Sequence, residues 1–252
     1  MNVAVVIPTY NEVENLSRLV TALFKLPLSI SILVVDDGSP DGTGQAADDL
    51  ATKFPTLLSV LHRSSKQGLR AAYLAGFKRV IEEGAEAVAQ MDADFSHAPE
   101  ALIGMAEKLE QCDLVLGSRY IPGGSVDQHW AFWRKSLSAF GNLYARAILN
   151  LPPRDVTTGY RLWRRETLLG MPLDRVASSG YVFQVEMAYL ACCLEYKICE
   201  YPIYFAERQV GESKMSLRIQ TEAALRVWQV RRQYRDLRKM GRSGRRLSST
   251  TA

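Results

Sequence analysis

The first half of the chain alternates short apolar runs with stretches whose apolar residues recur at helical spacing. Val3–Ile7 and Ser31–Val35 are rich in β-branched residues and end in polar turn residues, as buried strands do. Glu14–Lys25, between them, carries its leucines on one helical face. The same alternation predicts further helices over Gly44–Phe54, Leu69–Glu83 and Leu102–Gln111, and strands over Leu57–His62, Ala87–Met91 and Asp113–Gly117. Strands that alternate with helices predict an α/β fold with a mostly parallel sheet between two layers of helices.

The second half is less regular. Apolar residues at helical spacing predict helices over Phe132–Leu149 and Val182–Leu194, and Glu200–Phe205 alternates as one short strand. The aromatic residues of the first of these helices either fill the core or receive an apolar ligand, and we expect the core for most of them. They are Phe132, Trp133, Phe140 and Tyr144.

Positive charge is concentrated near the carboxyl end. The segment from Arg226 to Arg246 has nine basic residues and one acid, Asp236, so it carries +8 while the whole chain carries +4. A last helix, predicted over Leu217–Lys239, mixes these basic residues with apolar ones. It either lies on an anionic membrane surface or packs on the domain. The predicted units are a domain over residues 1–216, an amphipathic basic helix over 217–240 and a disordered tail over 241–252.

Composition favours a soluble protein. No stretch approaches the roughly 20 apolar residues that span a bilayer, and Met1–Ile7 lacks the basic leader of a signal peptide. The cysteines show neither metal-ligand spacing nor a disulfide framework, so we expect reduced thiols and a cytoplasmic protein. They are Cys112, Cys192, Cys193 and Cys199.

Two acids follow the predicted strand Ala87–Met91 directly. Asp92 and Asp94 cannot both enter an apolar core, because burying an unpaired charge costs several kcal/mol. Carboxylate oxygens suit a hard divalent cation, which keeps open positions for a phosphorylated substrate. The pair therefore predicts a metal site, although many such pairs lie in solvated loops.

Polar residues follow the other predicted strands as well. The segments are Pro8–Glu12, Asp36–Gly42 and Ser118–Tyr120. Because carboxyl ends of parallel strands meet at one edge of a sheet, these segments are expected to face one cleft. An aromatic ring there can stack on a base, and acids can accept hydrogen bonds from a ribose; plain polar turns are the alternative. The glycine-rich loops of dinucleotide oxidoreductases and P-loop nucleotidases are missing, which disfavours both classes.

Three of these segments resemble inverting glycosyltransferases of family 2, which have the GT-A fold. They are Val6–Glu12, Val35–Thr43 and Met91–His97. Later segments resemble the dolichol-phosphate mannose synthases, also called polyprenol monophosphomannose synthases. They are Gly117–Tyr120, Thr158–Arg161, Gly180–Glu186 and Gly211–Lys214. The resemblance runs from Val3 to about Ser216 and implies transfer of mannose from GDP-mannose to a polyprenyl phosphate.

The resemblance also implies roles for individual residues. The nucleotide sugar would contact Pro8, Tyr10, Glu12, Val34, Asp36, Asp37, Asp92, Ala93, Asp94, Arg119, Arg208 and Lys214. Asp92 and Asp94 would hold Mg²⁺ or Mn²⁺, with Asp94 the firmer ligand. The acceptor phosphate would contact Arg119, Arg134 and Ser138, and the residues implied in catalysis are Asp94, Arg119, Arg134 and Arg208.

Elementary electrostatics favours the same chemistry. A sugar nucleotide and a lipid phosphate are both anions, so their approach requires fixed cations, which arginines and a metal supply. The acceptor phosphate is already ionised at neutral pH, so no general base is required. A lone arginine near a strand end is nevertheless more often a surface charge, and Arg208, Glu212 and Lys214 would then form weak surface pairs.

The partners that follow are a nucleotide-sugar donor, a polyprenyl phosphate and the cytoplasmic face of a membrane, with a membrane-anchoring protein left open and no nucleic acid. The run Glu207–Ser216 is predicted to close over the nucleotide. Two alternatives stay open. One is a UDP-glucose-dependent polyprenyl-phosphate glucosyltransferase. The other is a nucleic-acid-binding protein with a basic tail, which leaves the clustered acids unexplained.

Overall fold

A computed structural model of the chain describes residues 1–206 and 217–238. Strands and helices alternate through the first half, as the hydrophobic pattern predicts. The strands are β1 (Asn2–Thr9), β2 (Ser29–Asp36), β3 (Leu58–His62), β4 (Ala87–Gln90), β5 (Leu114–Ser118), β6 (Ser125–Val126), β7 (Arg161–Arg164), β8 (Ile198–Pro202) and β9 (Tyr204–Phe205). The helices are α1 (Val13–Phe24), α2 (Thr43–Lys53), α3 (Leu69–Glu82), α4 (Ala101–Leu109), α5 (Phe132–Leu149), α6 (Arg165–Gly170), α7 (Gly180–Cys193) and α8 (Leu217–Gln233).

The main sheet has the strand order β3-β2-β1-β4-β7-β5-β8, and only β7 runs against its neighbours. The carboxyl ends of β1, β2, β4 and β5 therefore lie at one edge, and β7 begins at that same edge. A small second sheet pairs β6 with β9. The predicted mostly parallel α/β fold is confirmed.

Two apolar layers cover the sheet, because side chains alternate between its faces along each strand. In β1, Val3 and Val5 pack with α1, α2 and α4, whereas Ala4 and Val6 pack with α3 and α7. Both layers consist largely of fully buried aliphatic side chains. The burial of β1, β2 and β4 on both faces explains why these strands appear as continuous apolar runs in the sequence.

The sequence pattern missed β7 and misjudged the strand before residue 206. β7 has only two apolar residues between two arginines, which is too short a signal to separate from a loop. The predicted strand Glu200–Phe205 is in fact two strands. Ile203 separates them: it is buried and its N–H donates to the carbonyl of Ser118, so the chain passes from the main sheet to the small one.

The expectation that the cysteines form no disulfide is wrong for one pair. Cys112 and Cys199 are disulfide-bonded, with 6.1 Å between their Cα atoms. The two residues are 87 positions apart and meet only because β8 pairs with β5, so spacing along the chain gave no signal. Cys192 and Cys193 are free thiols, as predicted. Disulfides are rare in the cytosol, so the bridge weakens the cytoplasmic expectation.

Helix α8 packs on the domain. Val227, Val230 and Tyr234 are buried, and the Tyr234 hydroxyl donates to Glu186 Oε1 at 2.9 Å. Burial and the charge of Glu186 raise the pKa of Tyr234 well above its ordinary value, so this hydroxyl stays a donor. The packed alternative is therefore correct for this face of the helix. The predicted tail over 241–252 lies outside the described residues, and within them no helix is long and apolar enough to cross a bilayer.

Candidate active site

The edge of the sheet where four parallel strands end brings the predicted residues together. Thr9 at the end of β1 is in register with Asp36 at the end of β2, and Val6 of β1 is in register with Gln90 of β4. Asp92 follows two residues after Gln90. Because adjacent strands are about 4.8 Å apart, the ends of β2 and β4 lie roughly 10 Å apart across β1. That span suits a nucleoside diphosphate lying over the end of β1.

The loop after β4 holds both acids of the predicted metal pair. Asp94 is buried, and its Oδ1 accepts hydrogen bonds from the Ser96 N–H at 3.0 Å and the Ser96 hydroxyl at 2.5 Å. Phe95 between them has a φ of +58°, a conformation that costs energy for a residue with a side chain. Ser96 thus orients Asp94.

Asp92 is held from several sides. Its N–H donates to His97 Nδ1 at 3.3 Å, and the Tyr73 hydroxyl donates to its Oδ1 at 3.2 Å. Burial, followed by the charge of Asp92, raises the pKa of Tyr73 well above its ordinary value, so the phenol stays protonated. Gly159 lies against the same carboxylate: a Cβ added there would be 3.3 Å from Asp92 Oδ2 and 3.3 Å from His97 Cε1.

The predicted nucleotide-binding residues line the ends of β1 and β2. Asp36 Oδ2 accepts from the Ser39 N–H at 3.1 Å, whereas Asp37 pairs with Arg63 at 2.5 Å. The ammonium group of Lys66 lies 3.5 Å from the centre of the Tyr10 ring. The face of the Tyr10 ring that could stack on a base is therefore in contact with the Lys66 ammonium group. Pro8 and Glu12 lie in the same region at the end of β1, and Val34 is buried within β2.

Arg119, directly after β5, forms a buried ion pair that the sequence did not reveal. Its Nε and Nη2 donate to Asp155 Oδ2 and Oδ1 at 2.7 and 2.8 Å, and Nη2 also donates to Thr157 at 2.8 Å. Although burial acts in the opposite direction on each group, their mutual attraction raises the pKa of Arg119 and lowers that of Asp155. Asp155 fixes the guanidinium at the sheet edge and neutralises its charge there.

Two further predicted residues, Ser138 and Arg134, contact aromatic side chains near Arg119. The Tyr120 hydroxyl is 2.9 Å from Ser138 Oγ, and the Arg134 guanidinium lies 4.1 Å from the centre of the Trp130 ring. Tyr120, Trp130 and Ser138 line a cavity of about 260 Å³, together with Lys135 and others. The three residues implied at an acceptor phosphate are thus in one region, next to an apolar cavity.

Phe205 of β9 joins this region to the acidic loop. Its ring contacts His97 edge-on with 5.5 Å between centroids, meets Trp130 edge-on at 5.6 Å, and lies 5.3 Å from the Arg119 guanidinium carbon. His97 in turn accepts from Asp92. Phe205 therefore links the loop that carries Asp92 and Asp94 to the region of Arg119 and Trp130.

A buried polar network lies behind the acidic loop. Arg161 is fully buried, and its guanidinium donates to the carbonyls of Thr158 at 3.0 Å, Val156 at 3.0 Å and Gln184 at 2.7 Å. Burial lowers the pKa of Arg161 to about 9, which still leaves it charged at neutral pH. Gln90, opposite Arg161 in the sheet, accepts from the Trp163 indole N–H at 2.7 Å.

The aromatic residues of α5 do not fill the core as expected. Phe132 is 85% exposed, Trp133 66% and Phe140 65%, whereas Tyr144 is partly buried and packs against the core. The core interpretation is therefore wrong for the first three. Helical spacing identified the helix correctly but could not show that the side chains of this face are exposed.

Most of the predicted site residues meet at the sheet edge, and two are outside the described residues. Arg208 and Lys214, with the predicted closing segment Glu207–Ser216, fall in the part that the structure does not describe. The sequence analysis gave no role to Tyr73 or Asp155, and it named Arg161 only as part of the segment Thr158–Arg161. Tyr73 appears in the sequence as one more apolar position of a helix, and Asp155 as a lone loop acid.

The donor groups at the acidic loop suit a hard divalent cation. Within the described residues there is no group of three or more His, Cys, Asp or Glu side chains that could form a cage around a metal. Two carboxylates on one loop would leave the other positions to substrate oxygens, as in many metal-assisted phosphate sites. The lack of a Cβ at Gly159 leaves space beside Asp92 Oδ2.

Comparison with known proteins gives the class. The model of glycosyl transferase family 2 matches residues 4–169, so the chain belongs to that family. It is 46% identical over 90% of its length to an undecaprenyl-phosphate mannosyltransferase of Micrococcus luteus, and covers 93% of that protein. It is also 46% identical over 90% of its length to a polyprenol monophosphomannose synthase of Mycolicibacterium smegmatis, covering 86% of it.

Two solved structures share the fold. A mannosyltransferase of Pyrobaculum calidifontis, in complex with GDP-mannose and Mn²⁺, has a TM-score of 0.58 and 19% identity over 84% of this chain and 58% of that chain. Glucosyl-3-phosphoglycerate synthase of Mycobacterium tuberculosis, in complex with Mn²⁺, UDP and glucosyl-3-phosphoglycerate, has a TM-score of 0.61 and 16% identity over 91% of this chain and 78% of that chain. The predicted GT-A fold and family are confirmed.

Proposed function

We propose that this chain transfers mannose from GDP-mannose to a polyprenyl phosphate, with inversion at the anomeric carbon. The observation that carries the proposal is the meeting of the acidic loop with an arginine-rich acceptor region around Phe205, in a chain 46% identical to two polyprenyl-phosphate mannosyltransferases. Both halves of the site are required, because the reaction joins two phosphorylated substrates.

The donor diphosphate belongs at the acidic loop in this proposal. Asp94, oriented by Ser96, and Asp92, held by Tyr73, would hold Mn²⁺ or Mg²⁺, which supplies charge neutralisation for the departing GDP. The nucleoside would extend over β1 toward Tyr10 and Asp36. Asp36 and Asp37 already have partners, so they act by shaping the loops around the nucleotide as well as by touching it.

The acceptor phosphate belongs beside Arg119, Arg134 and Ser138. Its ionised oxygen attacks the anomeric carbon from the face opposite the diphosphate, so the carbon inverts and no proton has to be removed. Arg134 and the Ser138 hydroxyl can donate to the phosphate, and Arg119 holds this edge in place through Asp155. The cavity of about 260 Å³ beside them would receive the first part of the prenyl chain.

We further infer that exposed side chains of α5 and α8 face the membrane that carries the acceptor. These side chains form what we call the aromatic strip, which consists of four aromatic residues and two leucines: Phe132, Trp133, Phe140, Trp228, Leu143 and Leu225. The two helices are joined where the Trp228 indole N–H donates to the Tyr144 hydroxyl at 2.9 Å. Arg231 and Arg232 are exposed on α8 and Arg235 is exposed just after it, so the strip has basic charge beside it that suits an anionic leaflet. The acceptor would reach Ser138 without leaving the leaflet that carries it.

A transfer assay tests the reaction. The protein is incubated with radiolabelled GDP-mannose or UDP-glucose, a short polyprenyl phosphate and Mn²⁺ or Mg²⁺, and the lipid fraction is counted. We expect mannolipid from GDP-mannose only. Label transferred from UDP-glucose alone would support the glucosyltransferase alternative, and no transfer from either donor would refute the proposal.

Vesicle flotation tests the aromatic strip separately. Trp133→Ser combined with Phe132→Ser should weaken binding to vesicles containing phosphatidylglycerol at least about tenfold, since each exposed ring that enters the interface contributes on the order of 1 kcal/mol or more. Leu169→Ser is the matched control, because Leu169 is 57% exposed on α6, outside the strip. Equal flotation of the double variant and the wild type would remove α5 from the membrane surface.

A further inference from the structure

Tyr73 reaches the acidic loop from helix α3, a part of the fold to which the resemblance assigned no role. The residue is fully buried, and its hydroxyl donates to Asp92 Oδ1 at 3.2 Å. Its ring is stacked on Phe77 at 5.8 Å and on Phe183 at 6.0 Å, with only 12° between the planes of the second pair. Aromatic contacts on this scale fix the ring, so the hydroxyl has one place to point.

A glycine in α3 allows this approach. Gly76 lies one turn after Tyr73, and a Cβ there would collide with Val6 Cγ1 of β1. Its absence lets the helix axis come close to the sheet. This close packing brings Tyr73 to the loop that follows the neighbouring strand β4.

A buried positive charge lies behind the tyrosine. Arg161 is opposite Gln90 at the start of β7, and its hydrogen bonds all go to backbone carbonyls. Over residues 1–206 and 217–238 it forms no ion pair, and its Nη1 has no hydrogen-bond partner. A buried guanidinium without a carboxylate partner is costly, which favours a role in balancing negative charge nearby. The charge of Asp155 acts on Arg161, and the charge of Arg161 acts in turn on Tyr73.

We propose that Tyr73 is a positioning residue of the transfer reaction: its hydroxyl holds the Asp92 carboxylate in the orientation that receives the metal and the donor diphosphate, with the buried Arg161 charge behind it. This inference rests on the proposed function, because it needs a cation at the acidic loop. It adds a residue that acts through Asp92 and touches neither substrate.

Tyr73→Phe tests the proposal, because it removes only the hydroxyl and keeps both ring contacts. Binding of Mn²⁺ to the protein with GDP is measured by electron paramagnetic resonance of the free ion. Loss of a hydrogen bond to a metal-binding carboxylate typically weakens affinity about 10- to 100-fold, and we expect that range. The matched control is Tyr189→Phe, since Tyr189 is also buried but its hydroxyl interacts with Arg238, away from the loop.

A second measurement separates positioning from general stability. In an Asp92→Asn background, Tyr73→Phe should cause less than about a twofold further loss of Mn²⁺ binding, because coupled residues are not additive. A loss of the same size in both backgrounds would overturn the proposal, as would unchanged Mn²⁺ affinity of the single variant. If the wild type itself binds no Mn²⁺ with GDP, the proposed function fails first, so the two failures are distinguishable.

Discussion

Asp155 accepts hydrogen bonds from Arg119 through both carboxylate oxygens, from Nε to Oδ2 at 2.7 Å and from Nη2 to Oδ1 at 2.8 Å. Both side chains are buried at the edge where β5 ends. The pair fixes the side chain of Arg119 at the end of β5. The guanidinium charge of Arg119 is therefore already paired with a carboxylate. The arrangement of the site therefore also depends on Asp155, which holds another side chain in place.

Breaking this pair should unfold the protein more easily as well as reduce transfer. Asp155→Asn is expected to lower the free energy of unfolding by about 3–5 kcal/mol, because it leaves a buried guanidinium without its counter-charge. Chemical denaturation measures the loss. Asp49→Asn, an exposed acid on α2, is the control and should change stability little. A loss below about 1 kcal/mol would mean that the pair is solvated in solution.

The same pair predicts a dependence of stability on pH. The folded protein holds the pKa of Asp155 below its ordinary value, so the stabilisation is present above the unfolded pKa of about 3.9 and disappears as pH falls through the lower folded value. The difference in stability between the wild type and Asp155→Asn should therefore be constant from pH 7 to 5 and shrink below about pH 4. A difference that persists unchanged at pH 3 contradicts the assignment.

Gly159 should not tolerate a methyl group, although Gly141 should. Gly159→Ala puts a Cβ 3.3 Å from Asp92 Oδ2, so we expect kcat/KM for GDP-mannose to fall on the order of tenfold while the protein stays folded. Gly141→Ala is the matched control, because a Cβ there meets nothing within 4 Å. Equal activity of both variants would show that the space beside Asp92 is not used.

Ser138 is expected to act on the acceptor alone. Ser138→Ala removes one hydroxyl donor, so KM for the polyprenyl phosphate should rise about fivefold, which corresponds to about 1 kcal/mol, while KM for GDP-mannose stays constant. Steady-state kinetics with each substrate varied in turn gives both values. Ser17→Ala on the exposed side of α1 serves as the control. If the donor KM changes instead, the acceptor phosphate does not bind beside Tyr120.

Removing Asp94 should abolish transfer. Asp94→Asn keeps the side-chain size but removes the charge, so we expect a loss of at least about a hundredfold, and a chelator should stop the wild type. Excess Mn²⁺ should restore the chelated wild type. A chelated enzyme with full activity would exclude a role for a metal in the reaction.

The sequence predicted well what depends on local pattern. β1, β2 and β4 appear as continuous apolar runs because helices cover both faces of the sheet, and the polar residues after them had to meet at one edge. The acids Asp92 and Asp94 stood out because they interrupt such a run. The structure places them in the loop after β4, which is the neighbour of β1 in the sheet.

Pairings between residues that are far apart in the sequence were not predictable. Asp155 lies 36 residues after Arg119, and Cys199 lies 87 residues after Cys112, so neither partner can be chosen from one sequence. Arg161 is flanked by Tyr160 and Leu162, and only the antiparallel insertion of β7 buries its charge. Phe132 was expected in the core and is exposed, because an apolar pattern does not reveal whether other residues cover that face.

In the proposed reaction, the acids at one edge of the sheet hold a cation against the donor diphosphate. Anomalous diffraction from crystals of the wild type grown with GDP and Mn²⁺ tests it most directly. We predict a manganese peak within about 2.5 Å of an Asp94 oxygen and in contact with the GDP diphosphate, with the base over the end of β1 near Tyr10. A manganese peak away from Asp92 and Asp94, or a diphosphate bound elsewhere, would contradict the account.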